Sequence, residues 1–246
     1  MKNFGIILTP DSRSKAYLQK IISKGIKPKD IVFMHNHNKE IKFSPEEIQK
    51  GKDYGFDISK PISATLKENN LNYKEFNFVN INNKSIIDYI KKTDVMYYVF
   101  TGGGILKKEI LNCGKKFVHF HSGIVPQYRG STCIYYSIIE HDTCGVTAFI
   151  MNEGLDTGDI IFQKEYPKPN HIYLDEVYDS HIRSDTLLEI LNNDKITTKE
   201  QNKQGNVFFI IHPVLKHIAI ASCYQKKDYT FPDSFIDGFS NSFLDN

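Results

Sequence analysis

The chain has 246 residues, 40% hydrophobic and 24% charged, which is enough apolar content to bury a sizeable core and excludes a disordered segment. Lys plus Arg number 31 against 29 Asp plus Glu, and a formal net charge of +2 argues against nonspecific nucleic-acid binding. Cys113, Cys133, Cys144 and Cys223 form no Cys-x-x-Cys pair, no N-terminal run resembles a signal peptide, and no apolar stretch approaches the ~20 residues that span a bilayer, so a cytoplasmic protein without a membrane anchor is expected.

Phe4 to Leu8 is a short apolar run closed by Thr9-Pro10-Asp11 and predicts a strand. Tyr17, Leu18, Ile21 and Ile22 follow at helical spacing before Gly25. Asp30 to Met34 predicts a second strand, Phe76 to Val79 a third, and Ile86, Ile87 and Ile90 a short helix beginning near Asn83 or Ser85. Residues 36 to 72 are polar and poorly periodic. Val95 to Phe100 is a continuous apolar run, as in a parallel strand covered on both faces, and it stops at Thr101-Gly102-Gly103-Gly104. A helix is expected from Ile105 to Leu111, a strand from Phe117 to His121, a helix from Ser131 to Glu140, a strand from Val146 to Met151 and another at Ile160 to Phe162.

This alternation predicts an α/β fold with a doubly wound, Rossmann-like, mainly parallel sheet and a small C-terminal appendage. The expected division is a catalytic domain over 1–166 and an accessory region over 167–246. In the latter, Leu174, Val177, Tyr178, Ile182, Leu187, Leu188 and Leu191 predict helical packing, while Val207 to Ile211 with Ile218 to Ser222 suggest a hairpin.

Three loops carry chemistry-bearing residues. Gly102-Gly103-Gly104 would let a ligand approach the backbone, although no Gly-Lys-Ser/Thr follows and the spacing is not that of a dinucleotide fingerprint. In Val118-His119-Phe120-His121-Ser122-Gly123, strand alternation puts His119 and His121 on one face. His-x-His is also a metal-ligand spacing that Asp156 or His141 could complete. The third loop, Asn152-Glu153-Gly154-Leu155-Asp156-Thr157-Gly158-Asp159, carries paired acids between two apolar runs.

Together, His119 to Gly130 and Gly154 to Asp159 resemble the folate-dependent formyltransferase family, whose active site combines Asn-x-His-Pro-Ser-x-x-Pro-x-Tyr-Arg-Gly with Gly-Leu-Asp-Thr-Gly-Asp. The resemblance is densest over about residues 94 to 164. It implies the formyltransferase fold and a reaction in which formyltetrahydrofolate, as co-substrate, donates a formyl group to an amine. It carries over His121 as general base and Asp156 as its supporting acid. His119 stands where the family has its oxyanion-binding Asn, and Ser122-Gly123 where it has Pro-Ser. An imidazole N–H can donate as an amide does, and a protonated His119 would do so more strongly. By position the resemblance assigns Gly104, Ile105, Leu106, Asn152, Glu153 and Leu155 to the donor.

Among acceptors, a tRNA is disfavoured because 80 residues follow Tyr166, ending in Asp233, Asp237 and Asp245, with no basic cluster after Lys227. Glycinamide ribonucleotide is disfavoured because Thr9-Pro10-Asp11 replaces a Gly-rich phosphate loop. A nucleotide-linked amino sugar is the expected acceptor, as in sugar N-formyltransferases, with a homodimer allowed. A noncatalytic folate- or sugar-binding homologue and a His-x-His zinc hydrolase are the alternatives.

Overall fold

The computed structural model describes residues 3–35, 42–193, 196–201 and 205–224. Strand β1 (Phe4–Leu8) is buried throughout, with Phe4, Ile6 and Leu8 entering one apolar cluster and Ile7 the other. That two-sided burial is why its residues are continuously apolar. A Cβ at Gly5 would overlap the Tyr98 ring, whose hydroxyl donates to Asp30 Oδ2 at 2.8 Å. Strands β2 (Asp30–Met34), β3 (Lys74–Phe76), β4 (Tyr97–Phe100), β5 (Lys116–His121), β7 (Thr143–Ile150) and β8 (Ile160–Pro167) complete a seven-stranded sheet among the described residues. Its order is β3-β2-β1-β4-β5-β7-β8, parallel as far as β5 and antiparallel from β5 to β7 and from β7 to β8.

Helices cover both faces. Residues of α1 (Ser12–Ser23), α3 (Ile62–Glu68), α6 (Cys133–His141) and α7 (Asp179–Asn192) bury their apolar sides in the cluster of Phe4 and Leu8. Those of α4 (Lys84–Lys91) and α5 (Lys108–Leu111) join the cluster of Ile7 and Tyr98. The chain order reverses between β1 and β4, where a doubly wound sheet opens a crevice. There Asp11 caps α1 by accepting from Ser14 N–H at 2.7 Å, and the Thr101 hydroxyl donates to the Ile7 carbonyl at 2.8 Å. The Ser14 hydroxyl, which shares a hydrogen bond with that of Thr101 and accepts from Thr9 N–H at 3.0 Å, ties the start of α1 to the ends of both strands.

Several elements differ from the sequence expectation. The polar stretch before residue 72 contains α2 (Pro45–Asp53) and α3, the former opened by a Ser44/Glu47 capping box with proline in its first turn. That local signature outweighs poor periodicity. The third strand is 74–76, and the helix expected from Ile105 begins at Lys108, leaving 105–107 as a turn. The expected C-terminal hairpin is not formed. Strand β9 (Asn206–Phe208) instead pairs in parallel with β6 (Tyr128–Gly130), and α8 (Pro213–Ser222) is a helix. Pro213 lacks the donor a strand ladder needs but suits the first helical turn, and the His212 imidazole accepts from Val214 N–H at 3.3 Å. Asp233, Asp237 and Asp245 lie outside the described residues. The four cysteines are free and buried, and no helix among the described residues is long and apolar enough to cross a membrane.

Between α2 and α7, Tyr54 stacks on His181 with ring centroids 4.1 Å apart and shares a 2.9 Å hydrogen bond with His171. Burial, reinforced by Lys50 at one ring and Lys20 at the other, pushes both imidazoles down from 6.5 to about 4. The unfolded chain therefore takes up protons near pH 6.5 that the folded chain refuses. This part of the stability is fully present above pH 6.5 and is lost as the pH falls toward about 4. Urea denaturation between about pH 7 and about pH 4.5 should show falling midpoints, with a shallower slope when His171 and His181 are both replaced by Gln. An unchanged slope in the double variant would contradict the assignment.

Candidate functional site

Strand alternation places His119 and His121 on one face of β5, with ring centroids 6.5 Å apart and Phe149 of β7 against both. The loop after β7 leaves the sheet beside Phe117, where Met151 N–H donates to the Phe117 carbonyl at 2.8 Å. It then returns along β5 far enough to bring Asp156 to His121. Asp156 Oδ2 lies 3.6 Å from His121 Nδ1 and accepts from Gly130 N–H at 2.7 Å. His121 Nε2 lies 2.8 Å from the Tyr128 carbonyl. Because a carbonyl only accepts, Nε2 carries the proton of the neutral ring and Nδ1 is its basic nitrogen, facing Asp156. A side chain at Gly123 would fall 2.8 Å from both His121 Nε2 and the Tyr128 carbonyl, so the family's serine would intrude on that bond.

Beneath β5, Arg183 of α7 donates to the carbonyl of Phe120 and, at 2.7 Å, to the hydroxyl of Ser122, so its guanidinium grips the backbone on one side of His121 and the side chain on the other. The Asp179 carboxylate pairs with it at 2.8 Å and with Arg13 at 3.7 Å. Burial alone would raise Asp179, but these two guanidiniums hold it below the usual carboxylate value. Ser122, which stands where the family has proline, thus belongs to a polar network.

Burial drives the His121 pKa below 6.5, with Asp156 pulling it back up and Arg183 pushing it further down. The His119 pKa goes well below 6.5 through burial first, then Arg183, Arg13 and His121. His119 is therefore neutral, with its ring hydrogen-bonded to the Phe100 carbonyl, and the protonated form considered from the sequence is disfavoured by desolvation and by Arg183, Arg13 and His121. Its Nδ1 is buried without a hydrogen-bond partner among the described residues, and because a neutral ring carries one proton, Nδ1 donates only in the tautomer that gives up the Phe100 bond.

The two loops assigned to the donor face each other, with Lys108 3.4 Å from Glu153. Gly104 has φ +99° with open space where a Cβ would project, and Ile105 and Leu155 are 87% and 56% exposed. Asn82 fixes the turn by donating to the Ile105 carbonyl at 2.8 Å and accepting from Lys107 N–H at 2.7 Å. Asn152 closes its loop by accepting from Gly154 N–H and the Thr157 hydroxyl, both at 2.9 Å. Leu106 is buried in the cluster of Ile7 and Tyr98, so it supports the turn from below. A cleft of about 250 Å³ beyond the end of β5 is lined by Asp11, Arg13, Ser122, Thr132, Tyr135 and Glu176, among others, and not by His119, His121 or Asp156.

His141 lies at the end of α6 against the Tyr128 ring, and no group of three His, Cys, Asp or Glu side chains among the described residues is placed to hold a metal ion. The His-x-His spacing thus lacks the further ligands of a zinc centre. Sequence reading missed Arg183, whose helical context carries no motif, and Gln201, whose amide donates to the carbonyls of Asp156 and Gly158 at 3.0 and 3.1 Å.

Comparison with solved structures places this architecture in the formyltransferase fold. The sugar N-formyltransferase of Shewanella sp. FDAARGOS_354 superposes with a TM-score of 0.55 at 17% identity over 95% of this chain and 94% of that one. The N-formyltransferase of Helicobacter canadensis, solved with folinic acid and dTDP-3-aminofucose, gives 0.57 at 17% identity over 92% of this chain and 82% of that one. A family model described as Formyl transferase matches residues 29–185, well over half of the chain, and the chain belongs to that family. The methionyl-tRNA formyltransferase of Finegoldia magna is 27% identical over 199 residues, 77% of this chain and 58% of the relative, so the chain spans less than two thirds of that protein.

The site makes one direct spectroscopic prediction. The His119 ring should keep the nitrogen shifts of a neutral imidazole from about pH 8 down to about pH 6, where an ordinary histidine titrates. A sigmoidal titration of His119 within that range, assigned by its loss in His119→Asn, would contradict the desolvated environment.

Proposed function

We propose that this protein transfers a formyl group from formyltetrahydrofolate to the amine of an amino sugar, held as a sugar nucleotide. The observation that carries the reading is the meeting, on one strand face, of a basic His121 Nδ1, the Asp156 carboxylate and an unpartnered His119 Nδ1. The donor loops suit a flat, largely apolar molecule: Ile105 and Leu155 offer exposed apolar surface, and Gly104 leaves room for close approach to the backbone. Formyltetrahydrofolate supplies an activated formyl carbon bonded to nitrogen.

The Asp156 carboxylate accepts a hydrogen bond from the incoming amine while His121 Nδ1 takes the proton displaced as nitrogen bonds to the formyl carbon. The 3.6 Å between these two atoms leaves both within reach of one amine nitrogen. Tyr128 holds the ring in the required tautomer. The negative charge that develops on the formyl oxygen is met by the neutral His119 ring in the tautomer with its proton on Nδ1, which exchanges the bond to the Phe100 carbonyl for one to the oxyanion. The donor carbon–nitrogen bond then breaks, and His121 returns its proton to that nitrogen. Tetrahydrofolate and the N-formylated amine leave, and the enzyme is unchanged.

The acceptor assignment is supported by the cleft beside Ser122. Its hydroxyls and carboxylates suit a small polyhydroxylated amine. Asp11 already fills the start of α1 with its own carboxylate, at a position where a Gly-rich loop would hold a phosphate. The formal charge of +2 supplies little attraction for a tRNA backbone.

Incubation with formyltetrahydrofolate and a panel of nucleotide-linked amino sugars, followed by mass spectrometry, should yield one acceptor heavier by a formyl group. His121→Ala and Asp156→Asn should each lower turnover by about 10²- to 10⁴-fold with the fold retained. His119→Ala should cost roughly 10²- to 10³-fold, and His119→Asn should retain or raise activity. Formylation of methionyl-tRNA in preference to every amino sugar would overturn the acceptor. Near-normal turnover in His121→Ala would overturn the mechanism.

A further inference from the structure

The Asp156 loop is held from a part of the chain far from it in sequence. Asp156 has φ +51°, in the left-handed region that non-glycine residues seldom occupy, so its surroundings must stabilise the conformation. Three features do so. Gly130 N–H binds the carboxylate at 2.7 Å, and Gly158 lies so close to the Ile150 carbonyl that any Cβ there would overlap it. The third is Gln201, only 5% exposed, whose single amide nitrogen donates to the carbonyls on both sides of the turn, those of Asp156 and Gly158. Gln201 is itself anchored: two residues earlier, Lys199 exchanges both backbone hydrogen bonds with Ile160 at 2.8 Å, so the 199–201 segment is laid along the start of β8.

We propose that Gln201 is a positioning residue of the transfer site, holding the Asp156 loop in the one conformation that presents its carboxylate to His121. This rests on the formyl-transfer reading above, and it adds a determinant outside the family's two motifs and outside the residues matched by the family model. The alternative is that Gln201 merely fills space beneath β8. The two differ in what happens at the imidazole. His121 faces Asp156 from the loop, Arg183 and Asp179 from α7, and His119 on its own strand; among these, Asp156 is the main influence favouring the charged ring. Loss of the Gln201 bonds would free the turn, withdraw the carboxylate and lower the His121 pKa, whereas a space-filling change leaves it where it was.

The test uses the full chain with Gln201→Met, which keeps length and removes the donor, and Gln201→Asn, whose shorter amide cannot reach both carbonyls. Nuclear magnetic resonance titration of His121, assigned by its loss in His121→Ala, should show a lower pKa in both variants, the larger fall in Gln201→Met. Turnover of Gln201→Met should drop by about 10²-fold with little change in KM, as expected when a catalytic group is misplaced by a fraction of an ångström to an ångström. A folded Gln201→Met protein with the wild-type His121 titration would overturn the proposal. Unfolding of both variants would also overturn it, by making Gln201 a residue of general stability. The titration needs no turnover, so a wild-type chain that formylates no amine refutes the functional reading while leaving the positioning role separately measurable.

Discussion

Everything at the site depends on one histidine ring held between two acceptors. The Tyr128 carbonyl requires a proton on Nε2, and the Asp156 carboxylate lies beyond Nδ1 at a distance too long for a direct hydrogen bond. A buried imidazole in that position can be neutral and still strongly oriented. The sheet sets its height, because His121 is the last residue of β5, and the close approach of Gly123 keeps the ring against Tyr128.

The charge distribution beneath the strand follows the same requirement. A buried Arg183–Asp179 pair costs desolvation energy that mutual attraction alone seldom repays, so its further bonds matter. Arg183 spends them on the Phe120 carbonyl and the Ser122 hydroxyl, immediately before and after His121. The guanidinium thus fixes the strand end and disfavours a charged ring, while Asp156 works in the opposite direction. The resulting His121 ring sits between opposed influences on its charge.

The C-terminal part of the chain is built into this arrangement. Strand β9 pairs with Tyr128–Gly130, the segment whose carbonyl and N–H contact His121 and Asp156, and the Arg129 guanidinium donates to the Gly205 carbonyl at 2.9 Å. Helix α7 supplies Arg183, and Gln201 closes the Asp156 turn. Both motif loops are therefore completed by residues distant from them in sequence.

Much of this was legible in the sequence where the chemistry is local. Continuous apolar runs mark β1, β2 and β4 because strands covered on both faces have no polar side, and the two motif strings bring His119, His121 and Asp156 into one hypothesis. Local patterning misled where a non-local partner decided the outcome: Val207 and Phe208 sit in a strand that pairs with β6, and the apolar residues after Pro213 fold as a helix against α6. The neutral state of His119 was equally invisible, since it comes from burial and from two guanidiniums on α1 and α7. Residue identity by itself determined which groups could exchange protons at this site. Only the tertiary structure decided which nitrogen of His121 is basic, that His119 stays uncharged and that Gln201 reaches the Asp156 turn, because hydrogen-bond partners and desolvation are properties of the packed molecule.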